Sequence, residues 1–316
     1  MPRKSILLLG LSLFWAASLS AASCSIEFGA VSGRSVWLLC DRNELRVSAD
    51  GGTTWQSRSV PTEAKLRALA LIDTRRVFAT GDDGILMATA DGGETWNQIP
   101  LPVQQNFRSI HFVGELGWLA GWNGVILHSR DGGKTWERQQ TGVLQGLDCI
   151  FFADAEHGWT VGWAGTILRT SNGGKTWEKP KTPPGLWSLN SVYFRDVTHG
   201  WAVGFNGQIL RSRDGGLTWE EQPSPVHLWL RSVVIDESGR GWIAADTQLL
   251  VTQDGGESWT PTPVEGSIFL QQVLRVGDSL WAVGQFGVFR QARGEPKITA
   301  LASLPLSDFG EATSRN

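Results

Sequence analysis

Arginine and tryptophan are the residues of this chain whose types and positions offer chemistry, and the chemistry is recognition. Arg67, Arg108 and Arg231 share one column of an internal repeat, second in the stretches LRALAL, FRSIHFV and LRSVVI, with Asp148 and Asn190 at the matching points of two further copies. Arg169 and Arg211 share another column. Together they would form a basic patch on a chain of formal charge −3, although pairing with a nearby carboxylate is the commoner fate of a single surface arginine. Trp122, Trp163, Trp187 and Trp229 stand outside the repeated tryptophan columns. Aromatic side chains gathered on one surface mark a protein contact or a platform for sugar rings; the alternative is that they pack against neighbouring loops.

Catalysis finds less support. His157 and His199 precede equivalent Gly-Trp pairs and read as turn residues, while His111, His128 and His227 lack metal-ligand spacing. No GxSxG, HExxH or phosphate-loop pattern occurs, and no CxxC or Cys/His cluster. No metal or cofactor is expected. Naming a glycosidase pair among the many loop carboxylates requires a fold position.

The elements that carry these residues come from one repeated stretch, of which Gly117 to Trp136 (GWLAGWNGVILHSRDGGKTW) is the fullest copy. Its last octet recurs as SADGGTTW, TADGGETW, SRDGGKTW, TSNGGKTW, SRDGGLTW and TQDGGESW, with the closing tryptophans 40 to 42 residues apart. That period with strand-like content predicts an all-β chain forming a single β-propeller, in which each small sheet buries its faces only against its neighbours. Of 17 tryptophans, the octets and the Gly-Trp steps hold most, so the excess is architectural.

Each copy divides into four antiparallel strands. In the third they are Phe107 to Val113, Gly117 to Gly121, Val125 to Arg130 and Thr135 to Gln139, joined at Asn123-Gly124 and Asp131-Gly132-Gly133, where glycine supplies positive φ. The same division over residues 25–55, 66–96, 147–177, 189–219, 230–259 and 270–291 gives seven blades. Blade six has Ala245-Asp246-Thr247-Gln248 in place of the glycine-bearing turn, and its loop should differ. Blade seven lacks the octet and needs Lys297 to Leu304 as its fourth strand. This topology puts the octets on one face. The second-to-third turns, carrying Trp122, Trp163 and Phe205, and the blade crossings, carrying Trp187 and Trp229, lie on the other.

Residues 1–22 read as a secretory signal, with Arg3 and Lys4 before an apolar run and Ser20-Ala21-Ala22 as the cleavage site. The run is short for a membrane span. Removing the segment takes two positive charges and moves the formal charge from −3 to −5, against whole-surface attraction to nucleic acid or anionic lipid. Export implies a periplasmic or lumenal location. Ala21-Ala22-Ser23-Cys24 resembles a lipoprotein signal, which would lipidate Cys24 and anchor the protein. With Cys40 and Cys149 the cysteine number is odd, leaving one thiol spare or one modified. The propeller is expected over 23–304, as a monomer, and a disordered tail over 305–316.

The octet is identified as an Asp-box, or BNR motif. Its Asp and the Ser or Thr two residues earlier are placed to hydrogen-bond the turn, with the Trp folded over the blade. In families that carry it the box is structural, which implies that role for Asp50, Asp91, Asp131, Asn172, Asp214 and Asp254. The full repeat, GW then G, then G-x-IL, then S-x-DGGKTW, resembles the photosystem II assembly and stability factors of plants and cyanobacteria, a family with exported relatives in bacteria that do not photosynthesise. The resemblance covers about residues 24–291. It implies a non-enzymatic scaffold that binds a membrane-protein assembly intermediate, with the membrane reached only through that partner or a lipid anchor. An arginine-rich surface in that family corresponds to Arg67, Arg108, Arg231, Arg169 and Arg211, interrupted here by Asp148 and Asn190.

The competing expectation is an Asp-box hydrolase or a glycan-binding propeller. A sialidase resemblance would need a nucleophilic tyrosine and an early Arg-Ile-Pro element. The single tyrosine, Tyr193, stands in a column otherwise filled by Glu27, Ala70, His111, Phe151, Val234 and Leu274, and no Arg-Ile-Pro element occurs.

Overall fold

The computed structural model describes residues 25–264, 269–285, 287–295 and 297–301. Cys24, the expected signal at 1–22 and the tail at 305–316 lie outside the described residues. Seven antiparallel sheets follow one another along the chain, each built from consecutive strands; six have four strands and one has three. The inner strands Ile26–Ser32, Leu66–Leu71, Phe107–Val113, Leu147–Phe152, Leu189–Phe194, Leu230–Ile235 and Leu270–Val276 touch their neighbours in order, and the last touches the first. The chain is a seven-bladed β-propeller.

Blade three has the expected four pieces, Phe107–Val113, Leu116–Gly121, Ile126–Ser129 and Glu137–Gln139. In blade four the fourth strand shrinks to a single bridge, Arg169 with Glu178. Pro180 follows two residues later and has no N–H to continue the ladder. Blade six makes the predicted departure, passing from Gly241–Ala245 to Gln248–Thr252 through Asp246 at φ 40° instead of a 3-10 turn. Thr299–Ala300 completes blade seven by pairing with Gly287–Gln291, inside the segment expected to do so. The first and last sheets each consist of strands from their own end of the chain.

Two tryptophan columns join blade to blade. Trp118 of blade three stacks on Phe152 of blade four at 3.6 Å and donates its indole N–H to the Gly173 carbonyl in that blade's Asp-box. Trp159 repeats the arrangement on Phe194 and Gly215 of blade five, at 3.5 Å between rings and 2.9 Å for the hydrogen bond. The Asp-box is thus part of the joint between blades as well as a turn. In blade three Asp131 accepts from the backbone N–H groups of Lys134 and Thr135 and from the Thr135 hydroxyl, Ser129 caps Gly133 N–H, and Trp136 donates to the Gly133 carbonyl. Asp50, Asp91, Asp214 and Asp254 accept from their own turns in the same way. Asn172 keeps the backbone bond to Thr176 and donates to that residue's hydroxyl, while Trp177 turns to Gln139 Oε1.

A recurrent bulge sets up the channel. In every blade the pairing of the first two strands skips the second residue of the inner strand, as where Leu66 faces Gly81 and Ala68 faces Thr80. The skipped residues are Glu27, Arg67, Arg108, Asp148, Asn190, Arg231 and Gln271. A bulged residue leaves the ladder and its side chain is re-aimed; here all seven line the central channel.

Candidate binding site at the channel mouth

The channel opens as a cavity of about 1020 Å³. Beneath the ring of bulge residues lie the small polar side chains of Ser109, Cys149, Ser191 and Ser232. Deeper still is an aromatic belt in which His111 meets Phe151 at 5.1 Å and Phe151 meets Tyr193 at 5.3 Å. These groups have local partners: His111 Nε2 lies 3.0 Å from the Phe152 carbonyl, and the Tyr193 hydroxyl donates to the Ile235 carbonyl. Burial drives the pKa of His111 down to about 4 and that of the Cys149 thiol up to about 11. Among the described residues Cys149 is free, whereas Cys40 is disulfide-bonded.

The rim is set by the turn between the second and third strands. In blade three Trp122 N–H donates to the Asn106 carbonyl at 3.0 Å, an approach that a Cβ on Gly121 would block. Asn123 then turns the chain at φ 56°. The same bond positions Asp82, Trp163 and Phe205. From blade one to blade seven the turn residue is therefore Asp41, Asp82, Trp122, Trp163, Phe205, Asp246 in the altered loop of blade six, and Gln285. Trp187 and Trp229 enter from the crossings just ahead of blades five and six.

The sequence reading placed four tryptophans on this face, and the structure brings them into two clusters. Trp122 meets Trp163 at 5.5 Å; Phe205 meets Trp187 at 5.8 Å and Trp229 at 6.0 Å. All five rings are between 38% and 52% exposed, so loop packing leaves much of each face free. Trp163, Trp187, Phe205 and Trp229 also line the cavity.

The arginines of the expected basic patch have carboxylate partners. Arg67 pairs with Asp82 at 2.6 Å, Arg108 with Asp148 at 3.4 Å and Arg231 with Asp246 at 3.0 Å, while Lys65 pairs with Glu27 at 2.8 Å. These four cations and four carboxylates pair with one another, while Arg42 and Asp83 stand exposed in the rim turns of blades one and two. Arg231 also lies 4.4 Å over the Trp229 ring. Burial raises the pKa of Asp148, against the opposing pull of Arg108 and the Trp163 side chain. Arg169 and Arg211 are not part of the mouth. Arg169 faces Glu178 at 3.6 Å; Arg211 pairs with Glu257 and lies 5.3 Å over Trp201, and both side chains are largely buried.

A family model described as photosynthesis system II assembly factor YCF48 matches residues 15–105, 52–145 and 185–271. The chain belongs to this family. No curated protein matches the sequence. Among solved structures, YCF48 bound to a D1 peptide is 20% identical, with 79% of this chain and 84% of that one covered and a TM-score of 0.65. YCF48 from Cyanidioschyzon merolae is 19% identical over 72% of this chain and 77% of that one, with a TM-score of 0.57. The GH74 xyloglucanase of Xanthomonas campestris is 11% identical, covering 90% of this chain and 53% of the enzyme, with a TM-score of 0.67. At such identities the structural likeness is one of fold.

The bulge ring and its pairing with the turn residues were missed in the sequence. A signal for them was present. Within a blade, Arg67 occurs with Asp82 and Arg231 with Asp246, both fifteen positions apart, whereas blades with Trp or Phe in the turn carry no carboxylate there.

Proposed function

We propose that this YCF48-family chain is a non-catalytic exported scaffold that holds a segment of an integral membrane protein, or of its precursor, at the mouth of the propeller channel. The observation that carries this reading is the pair of exposed aromatic clusters. They are built from residues outside the repeat columns, on the face opposite the Asp-boxes, and open onto a cavity of about 1020 Å³. Large aromatic side chains that stay accessible around a concavity are the usual anchors of protein recognition. The family supports the assembly role, and the related YCF48 structure with a D1 peptide supports a polypeptide as the occupant. A disulfide at Cys40 favours an oxidising compartment, in keeping with export. The GH74 likeness is one of fold, and Glu27, Asp82, Asp148 and Asp246 at the mouth are engaged by Arg or Lys.

Site-specific photo-crosslinking in cells tests this. A crosslinking residue at position 187, on the mouth face, should yield an adduct with an integral membrane protein, and one at position 134, in an Asp-box, should not. Equal adducts from both faces, or none at position 187, would overturn the reading.

A further inference from the structure

Resting on that reading, we infer that the occupant of the mouth is an uncharged, extended segment bearing two large apolar side chains, one for each aromatic cluster, and that recognition does not use the arginines as free cations. The charge of the site argues for this. Among the described residues, Lys65, Arg67, Arg108 and Arg231, the cations that line the cavity at its mouth, are each matched by a carboxylate at 2.6 to 3.4 Å. An acidic segment would have to compete with those carboxylates, and a basic one with the cations, so neither sign of charge is drawn to the site.

Two polar side chains beside the clusters are engaged within the protein: Asn190 donates to the Leu230 carbonyl and Gln208 accepts from the Trp187 N–H, so the clusters themselves offer ring faces. Rings within each cluster are tilted by 56 to 73° at 5.5 to 6.0 Å, making an open angle that a Leu, Ile, Phe or Trp side chain fills from above. The Trp187, Phe205 and Trp229 cluster is supported by Arg231, which packs against Trp229. Rings fixed before binding lose little freedom when it occurs.

Selection from a random displayed library of peptides about twelve residues long reads out the preferred chemistry directly. The full chain, a W122A/W187A variant and an R67Q/D82N variant would be compared, with circular dichroism establishing that each is folded. Wild type and R67Q/D82N should enrich the same peptides, carrying two apolar anchors and little charge. W122A/W187A, which removes one ring from each cluster, should bind those peptides at least about tenfold more weakly. Their affinity should change less than about threefold between low and high salt. Enrichment of Asp and Glu with strong salt dependence would overturn the inference while leaving the scaffold reading intact. So would wild-type enrichment no different from that of W122A/W187A. Binding of cello-oligosaccharides or phosphatidylcholine vesicles with no peptide enriched would also overturn it. Loss of the membrane-protein adduct at position 187 would instead count against the scaffold reading itself.

Discussion

Trp55, in the first Asp-box, lies 6.4 Å from Trp281 on the second strand of blade seven. Trp96 and Trp37 meet at 6.3 Å across the joint between blades two and one, so the ring closes with the same contact that joins consecutive blades. No strand is exchanged between the ends among the described residues. Instead the last blade is completed locally, and Gly29 N–H donates to Gln272 Oε1 across the closure.

Because closure rests on side-chain packing, W281A should destabilise the whole ring and not merely loosen blade seven. Trp281 is 1% exposed, and truncating a buried tryptophan costs about 3–5 kcal/mol. Denaturant unfolding should show one transition at a lower midpoint with an unchanged slope. A second, separate transition for blades one and seven would show that closure is not cooperative with the rest.

The Asp-boxes predict acid sensitivity. Backbone and side-chain hydrogen bonds from Thr135 hold Asp131 at about 2, and those from Ser258 and Thr252 hold Asp254 at about 2; Asp50 and Asp91 are lowered further by their own turns. A carboxylate with a depressed folded pKa stabilises fully above its unfolded value and loses that contribution as pH falls through the folded value. The urea midpoint should therefore fall between about pH 4 and about pH 2. D131N should flatten this dependence with only a modest loss at neutral pH, since Asn172 already bonds the Thr176 N–H at 3.0 Å. A midpoint unaffected by the change in that window would refute the assignment.

A second window belongs to histidine. His111 and His128 are both depressed to about 4, chiefly by burial, so the unfolded chain binds protons first and stability should decline as pH falls from about 6.5 to about 4. H111Q/H128Q should lower stability at neutral pH and remove the slope in this range. Persistence of the slope in the double variant would assign it to other groups.

Cys149 should be inert in the folded protein. Burial lifts its pKa to about 11, and the thiolate is the reactive form. Labelling with a disulfide reagent at pH 8 should be at least about a hundredfold slower than in the denatured chain. Fast labelling of native protein would mean that the channel admits the reagent and ionises the thiol there.

What the sequence made legible follows from what repetition can encode. The seven blades, the turns at Asn123-Gly124 and Asp131-Gly132-Gly133, and the altered loop at Asp246 were readable because each reflects local backbone geometry at a fixed period. The aromatic residues outside the columns, Trp122, Trp163, Trp187 and Trp229, were placed on the right face by strand count alone. The state of the arginines was not readable in the same way, because it depends on which side chains the bulge turns toward each other. Arg108 finds Asp148 forty positions away in the next blade. Arg169 and Arg211, similar to the others as members of an arginine column, point elsewhere, Arg169 to Glu178 of its own blade and Arg211 into the joint beside Glu257.

Neutrality of the mouth can itself be engineered away. D82N/D246N removes two of the four matching carboxylates and leaves Arg67 and Arg231 with uncompensated charge. Both pairs are partly exposed, with side chains 22% to 30% accessible, so the cost to stability should be about 1 kcal/mol or less for each pair. The altered mouth should acquire affinity for acidic peptides that the wild type lacks, a gain of roughly tenfold or more at low salt that fades as ionic strength rises. Binding of apolar peptides should change little, since the Trp and Phe faces are untouched. If acidic peptides bind wild type and variant equally well, the carboxylates do not set the charge of the site, and the arginines must be available to a partner in the native protein.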